Sequence, residues 1–212
     1  SMAALVPGFR LFISSPGDVA QERRIARTVI ERVQAEFGTR VHLDACFWEY
    51  EPLEFSKSFQ ANLPNPADFD IVLCFLWSRL GSPLHSSLRL PDGSPASSGT
   101  QYEVLHALDG QKRRGLPELH VWINRTQPTI PLEPAEVRTQ RIAQWDALKA
   151  FLKEHTLDVE DGTLVSSYTD YKTLAEFEEL LETKLRKIVD KRIGVAALPA
   201  RERQEWVGKS PY

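Results

Sequence analysis

Four groups of residues could do chemistry together if the fold brings them to one place. The first is Ser14, Ser15 and Asp18; the second is Trp48, Glu49 and Tyr50. The third is Trp77, Ser78, Arg79 and Gly81, and the loop after it leads to Ser97, Thr100 and Glu103. Each group follows an apolar stretch that reads as a strand. In an open α/β sheet ligands bind outside the carboxyl ends of the strands, where strand order reverses, so these groups would share one rim. Hydroxyls, aromatic rings, a carboxylate and an arginine on one rim suit a nucleotide, with rings for a base and helix amides for phosphate. Each residue also has a plainer role. Asp18 fits a helix N-cap, with Gln21 three residues on completing a capping-box spacing. Ser14 and Ser15 can satisfy turn amides, Trp77 can belong to the core, and Arg79 can be a surface charge. Glu103 falls one turn into a helix that begins near Gly99 and Thr100, where a carboxylate also complements the positive helix end.

The elements that must position these groups alternate in period. Phe9 to Ser14 reads as a short strand ended by Ser15-Pro16-Gly17. Ile25, Val29, Val33 and Phe37 recur at helical spacing until Gly38 stops them. Val41, Leu43, Ala45 and Phe47 alternate as a second strand, and Asp70 to Trp77 is an apolar run of the kind buried on both faces of a parallel sheet. Leu119 to Asn124 is a fourth strand, Glu136 to Glu154 a helix, and Leu164 to Tyr168 a short fifth strand. Leu174, Phe177, Leu181, Leu185 and Ile188 mark a last amphipathic helix. Strands alternating with helices predict an α/β domain with a parallel sheet. The Ser, Pro and Gly content of Ser82 to Gly99 predicts a long mobile loop. After Val189 the pattern fades, so residues 193–212 read as a linker and residues 9–192 as the domain.

Composition narrows the function. The chain has 212 residues, 42% of them hydrophobic, enough for one sizeable core. Its 26 Lys and Arg against 29 Asp and Glu give a net charge of -3, unlike the basic stripe of a nucleic-acid binder. No apolar run approaches the ~20 residues that span a bilayer, and no leader pattern opens the chain, so a soluble, cytoplasmic protein with no membrane or nucleic-acid partner is expected. Cys46 and Cys74 sit in strand-like stretches and read as free thiols, although their spacing does not exclude a disulfide; with the scattered histidines they form no metal pattern. Gly208-Lys209-Ser210 imitates a phosphate-binding loop, but Arg203 stands where that loop needs glycine. The run Lys112-Arg113-Arg114 reads as the solvated end of a helix.

Taken in order, Phe9-Arg10-Leu11-Phe12-Ile13-Ser14-Ser15-Pro16-Gly17-Asp18 with Glu22-Arg23-Arg24, Asp70-Ile71-Val72-Leu73-Cys74, Arg79-Leu80-Gly81-Ser82 and Ser98-Gly99-Thr100-Gln101-Tyr102-Glu103 resemble the TIR-like effector domain of the DUF4062 type. That domain stands at the N-terminus of bacterial signal-transduction NTPases with numerous domains. The resemblance runs from about Phe9 to Val189. Trp206 to Tyr212 resembles the segment that introduces the nucleotide-binding module of such proteins, which implies downstream NTPase and sensor modules as partners.

The resemblance implies a flavodoxin-like, open, parallel five-stranded sheet of order 2-1-3-4-5 with helices on both faces. It implies cleavage of NAD+ at the nicotinamide–ribose bond, with NAD+ as substrate and no cofactor, switched on by self-association in antiphage defence. The family's glutamate in the helix after strand three corresponds to Glu103, and the preceding serine and cysteine positions to Ser97 and Thr100, a threonine replacing the cysteine. Helical spacing sets Thr100 and Glu103 on one face. By the same resemblance Ser14, Ser15 and Asp18 would line the first loop, Trp48 and Tyr50 would lead into the gating loop, and Trp77 and Arg79 would form the opposite wall. Nicotinamide leaves a cationic linkage as a neutral molecule, so one ionised carboxylate near an oxocarbenium-like ribosyl centre suffices without a second acid. Two other readings stay open: a non-catalytic self-association module, and a nucleoside-processing enzyme similar to the deoxyribosyltransferases.

Overall fold

A computed structural model describes residues 6–48, 64–81, 88–156 and 165–196. Five parallel strands form one sheet in the order β2-β1-β3-β4-β5. They are β1 (Gly8–Ser14), β2 (His42–Cys46), β3 (Ile71–Leu76), β4 (Glu118–Asn124) and β5 (Val165–Tyr171). The described helices are α1 (Ala20–Phe37), α2 (Gly99–Arg114), α3 (Ala135–Thr156) and α4 (Leu174–Ala196). Sheet order and strand sense agree with the expected flavodoxin-like sheet.

Every residue of β3 is buried because the strand lies between two helical layers, which explains its unbroken apolar run. On one face α1 and α4 cover Leu11, Ile13, Leu73 and Phe75 with Val29, Val33, Phe177 and Leu181. On the other, α2 and α3 cover Phe12, Val72, Cys74 and Leu76 with Val104, Ala107, Leu148 and Phe151. Alternation along β1 and β3 thus divides one sheet between two cores. Phe12 pairs with Cys46 of β2 and with Val72 of β3, and Ser14 pairs with Cys74, so these side chains fall on the α2/α3 side.

Several local expectations change. Asp18 does not cap α1: Gly17–Val19 form a short 3-10 turn, and the helix starts after Val19 with no side-chain cap. The Asp18 carboxylate reaches instead across the sheet's edge and accepts from the Ser78 amide at 3.0 Å and the Ser78 hydroxyl at 2.6 Å. The last helix continues to Ala196, across the boundary expected at residue 192; residues 197–212 lie outside the described residues. β5 runs on to Tyr171, because its later residues Asp170 and Tyr171 pair with Ile123 and Asn124 of β4. Part of the stretch expected to be a mobile loop is built: Arg89 and Pro95 bridge across a turn at Gly93, and Leu88 and Ala96 pack on Tyr102. Lys112, Arg113 and Arg114 form an exposed helix end, as expected, and Arg114 also donates from it to the carbonyls of Ala67 and Phe69 at 2.7 Å each. Cys46 and Cys74 are both free thiols.

Candidate functional site

Glu103 lies on the buried face of α2 with Thr100, Val104 and Ala107, and is only 3% exposed. Its Oε2 and the Oγ of Ser14 are both buried without a hydrogen-bond partner, and Ser14 is near enough to ease the Glu103 carboxyl. Burial pushes the Glu103 carboxyl well above the usual carboxylate range, and the neighbouring Ser14 hydroxyl and the Arg23 charge only partly oppose it. The same charge reaches both thiols: burial first, then Glu103, raises Cys46 and Cys74. Glu103 therefore stands over the ends of β2, β1 and β3. In this strand order the chain reverses direction between β1 and β3, which is where open α/β sheets bind ligands.

Thr100 is buried one turn before Glu103, and Gly81 passes beside it: a Cβ on Gly81 would stand 3.8 Å from Thr100 Oγ1. The Gly81 φ of +105° suits glycine and lets the backbone approach that closely. Arg79 lies over the β1–α1 turn, where a Cβ on Gly17 would meet its Nη2 at 3.0 Å, and its Nε is buried without a partner. Ser15 Oγ accepts from Arg23 Nη1 at 3.0 Å, and the Arg23 guanidinium in turn lies 5.6 Å from the Phe47 ring centroid. Ser14 and Thr100 thus lie beside Glu103, while Ser15 and Arg79 sit at the neighbouring β1–α1 turn.

Other expected residues are placed elsewhere. Ser97 is exposed, and its amide and hydroxyl donate to Gln101 Oε1 at 2.7 and 2.8 Å. Ser98 caps α2, its hydroxyl accepting from the Gln101 amide at 3.1 Å. Trp48 packs half-buried beside the α2/α3 core with Cys46. Tyr50, with Glu49, lies outside the described residues. Asp18 and Trp77 line a cleft on the α1/α4 side of the rim that Glu103 does not line. There the Trp77 indole donates to the Thr126 carbonyl at 2.8 Å.

Sequence reasoning missed Glu22, Arg23 and the two thiols as neighbours of the rim. For Glu22 a signal existed: it stands four residues before Ala26 and eight before Ile30, in line with the buried stripe of α1. An acid in such a row is either a defect or a site. For the thiols the signal was strand register, which no local pattern reveals.

Among the described residues, no group of three His, Cys, Asp or Glu side chains could hold a metal ion, and no helix is long and apolar enough to cross a membrane. Fold and rim together define an open, flavodoxin-like α/β domain with a buried acid at its switch point. A scan against protein-family models matched none of them, and a search among curated proteins found no match. The likeness to TIR-like domains rests on the residues quoted above.

Proposed function

We propose that this chain is a TIR-like effector domain that hydrolyses NAD+ at the nicotinamide–ribose bond, with Glu103 as the catalytic carboxylate, acting in the cytoplasm in antiphage defence. One observation carries the reading: a carboxyl buried beneath the switch point of the sheet, its Oε2 without a hydrogen-bond partner and its burial only partly offset by the Arg23 charge, with Ser14 and Thr100 at hand. Structural acids are seldom left in this state, because an uncompensated buried carboxyl costs stability.

The chemistry is balanced without a cofactor. The bond from the ribose anomeric carbon to the pyridinium nitrogen breaks, and its electron pair leaves with nicotinamide, which becomes neutral. An ionised Glu103 stabilises the oxocarbenium-like ribosyl centre, and water then adds there and loses a proton. Burial favours the protonated acid, so the resting site is latent. A cationic nicotinamide riboside group seated against the carboxyl would favour its ionised form, linking substrate entry to activation. Self-association that loosens the Gly81 backbone over Thr100 would open the same site.

The burial of Glu103 also favours a second reading, a self-association module in which the acid only shapes α2. Incubating the chain with NAD+, both dilute and crowded on beads, separates the two. The enzyme reading expects nicotinamide release that rises steeply with crowding. The module reading expects concentration-dependent assembly and no release.

A further inference from the structure

A cleft of about 390 Å³ opens on the α1/α4 side of the rim, lined by Asp18, Glu22, Trp77, Asn124, Thr126 and Lys172 among others. Its walls hold acceptors that the protein leaves unanswered. Asp18 Oδ2 is taken by Ser78, but Oδ1 is buried and accepts nothing. Glu22 is 5% exposed. Burial raises its carboxyl and the Asp18 charge raises it further, and its own backbone amide and, less, the Arg24 charge only partly oppose them. The first-turn position of Glu22 in α1 helps to hold the acid in place, yet does not offset its burial. Tyr171, 1% exposed, has a hydroxyl without a partner, and after burial the charges of Glu22 and Asp18 are what raise its phenol. These three oxygen-bearing groups are therefore close enough to act on one another.

The charges sort by depth. The carboxylates belong to buried and half-buried residues, whereas the opposing ammonium of Lys172 is on an exposed residue, where solvent screens it. An anion entering the cleft would meet Glu22 in a poorly hydrated setting. A cation would satisfy Asp18 Oδ1 and Glu22 together. The Trp77 indole, fixed through its bond to Thr126, supplies an aromatic wall beside them.

We propose that this cleft is a binding site for a small organic cation, a primary ammonium or a guanidinium, held by the Asp18 and Glu22 carboxylates with the Trp77 ring alongside. The site does not rest on the NAD+ reading, because Glu103 does not line it. Charge-assisted hydrogen bonds to two carboxylates give the selectivity, and the apolar stem of the ligand lies toward Leu174 and Trp77.

The test titrates the full chain by calorimetry with n-butylammonium and n-butylguanidinium, using butyrate and n-butanol as probes of matched shape. The cations are expected to bind saturably at millimolar concentration or below, and the anion and the alcohol are not. Glu22→Gln should weaken binding about tenfold, Lys172→Glu should strengthen it several-fold, and Glu103→Gln should leave it unchanged. No saturable heat from either cation, or equal binding of n-butanol, overturns the proposal. So does undiminished binding by Glu22→Gln. Should Glu22→Gln not fold, Lys172→Glu decides, since it alters only an exposed residue: unchanged or weaker cation binding overturns the site.

Discussion

Glu22 and Glu103 are both buried acids at the same rim, and burial is the leading reason that both have raised pKa values. They lie on opposite sides of the sheet. Glu22 looks into a cleft, whereas Glu103 is closed in beside Ser14 and the strand thiols. The shift is larger for the closed acid. The difference teaches that burial alone does not describe a site. An acid beside a cleft can be answered by a ligand, while a sealed acid must be uncovered before it can act.

The largest test of this contrast introduces a permanent charge. Glu103→Lys should cost roughly 3 kcal/mol or more in urea unfolding, because the ammonium has neither water nor a partner. Glu22→Lys should cost about 1 kcal/mol, since its longer side chain can reach the cleft and its solvent. Equal costs would show that the two acids are buried alike and would break the comparison.

The next test is pH. Because the folded pKa of Glu103 is raised, the folded chain holds a proton that the unfolded chain releases above the ordinary glutamate value of about 4.3. Its contribution to stability is therefore intact below that value and falls as pH rises toward the folded pKa. Glu103→Gln removes this slope, and by neutral pH the variant should exceed the wild type by about 1 kcal/mol or more in urea unfolding. Glu22→Gln should show the same sign with a smaller slope, as its shift is smaller. A wild-type profile no steeper than that of Glu103→Gln would contradict the sealed acid.

Asp18 ties the two regions together. Asp18→Ala should cost about 1–2 kcal/mol by leaving the Ser78 amide and hydroxyl without their acceptor, and Asp18→Asn should cost less by keeping one. The smallest effect is expected at Cys46. In alkaline buffer, where Glu103 gives up its proton, relieving Cys46 of that charge through Glu103→Gln should speed its alkylation by iodoacetamide about twofold, with Cys74 inert in both proteins because it is fully buried. Mass spectrometry of the alkylated chain reads both thiols at once.

Much of the fold was legible because period and position carry it. The unbroken apolar run of β3 announced a strand covered on both faces, and the stripe of α1 announced its buried side. Long-range matters were not legible. The preference of Asp18 for an N-cap was a sound local reading that lost to a bond with Ser78 across 60 residues. The extension of α4 to Ala196 follows a segment whose apolar pattern weakens without breaking the helix, and no early proline stops it. At the site, the helical spacing of Thr100 and Glu103 was readable, and both prove buried on α2. The exposed placement of Ser97 was not readable, because it depends on Gln101 folding back to the start of the helix. Ser14, Cys46 and Cys74 could be brought beside Glu103 only by strand register and by the way α2 packs on the sheet.

The central claim is that Glu103 acts as an ionised carboxylate on NAD+, and the isosteric but neutral Glu103→Gln tests it most directly. Nicotinamide is measured by chromatography after wild type and variant are crowded on beads with NAD+. Release by the wild type is expected, with a loss of at least about a hundredfold in the variant, which stays folded. Release that survives the substitution, or no release from the crowded wild type, would contradict it.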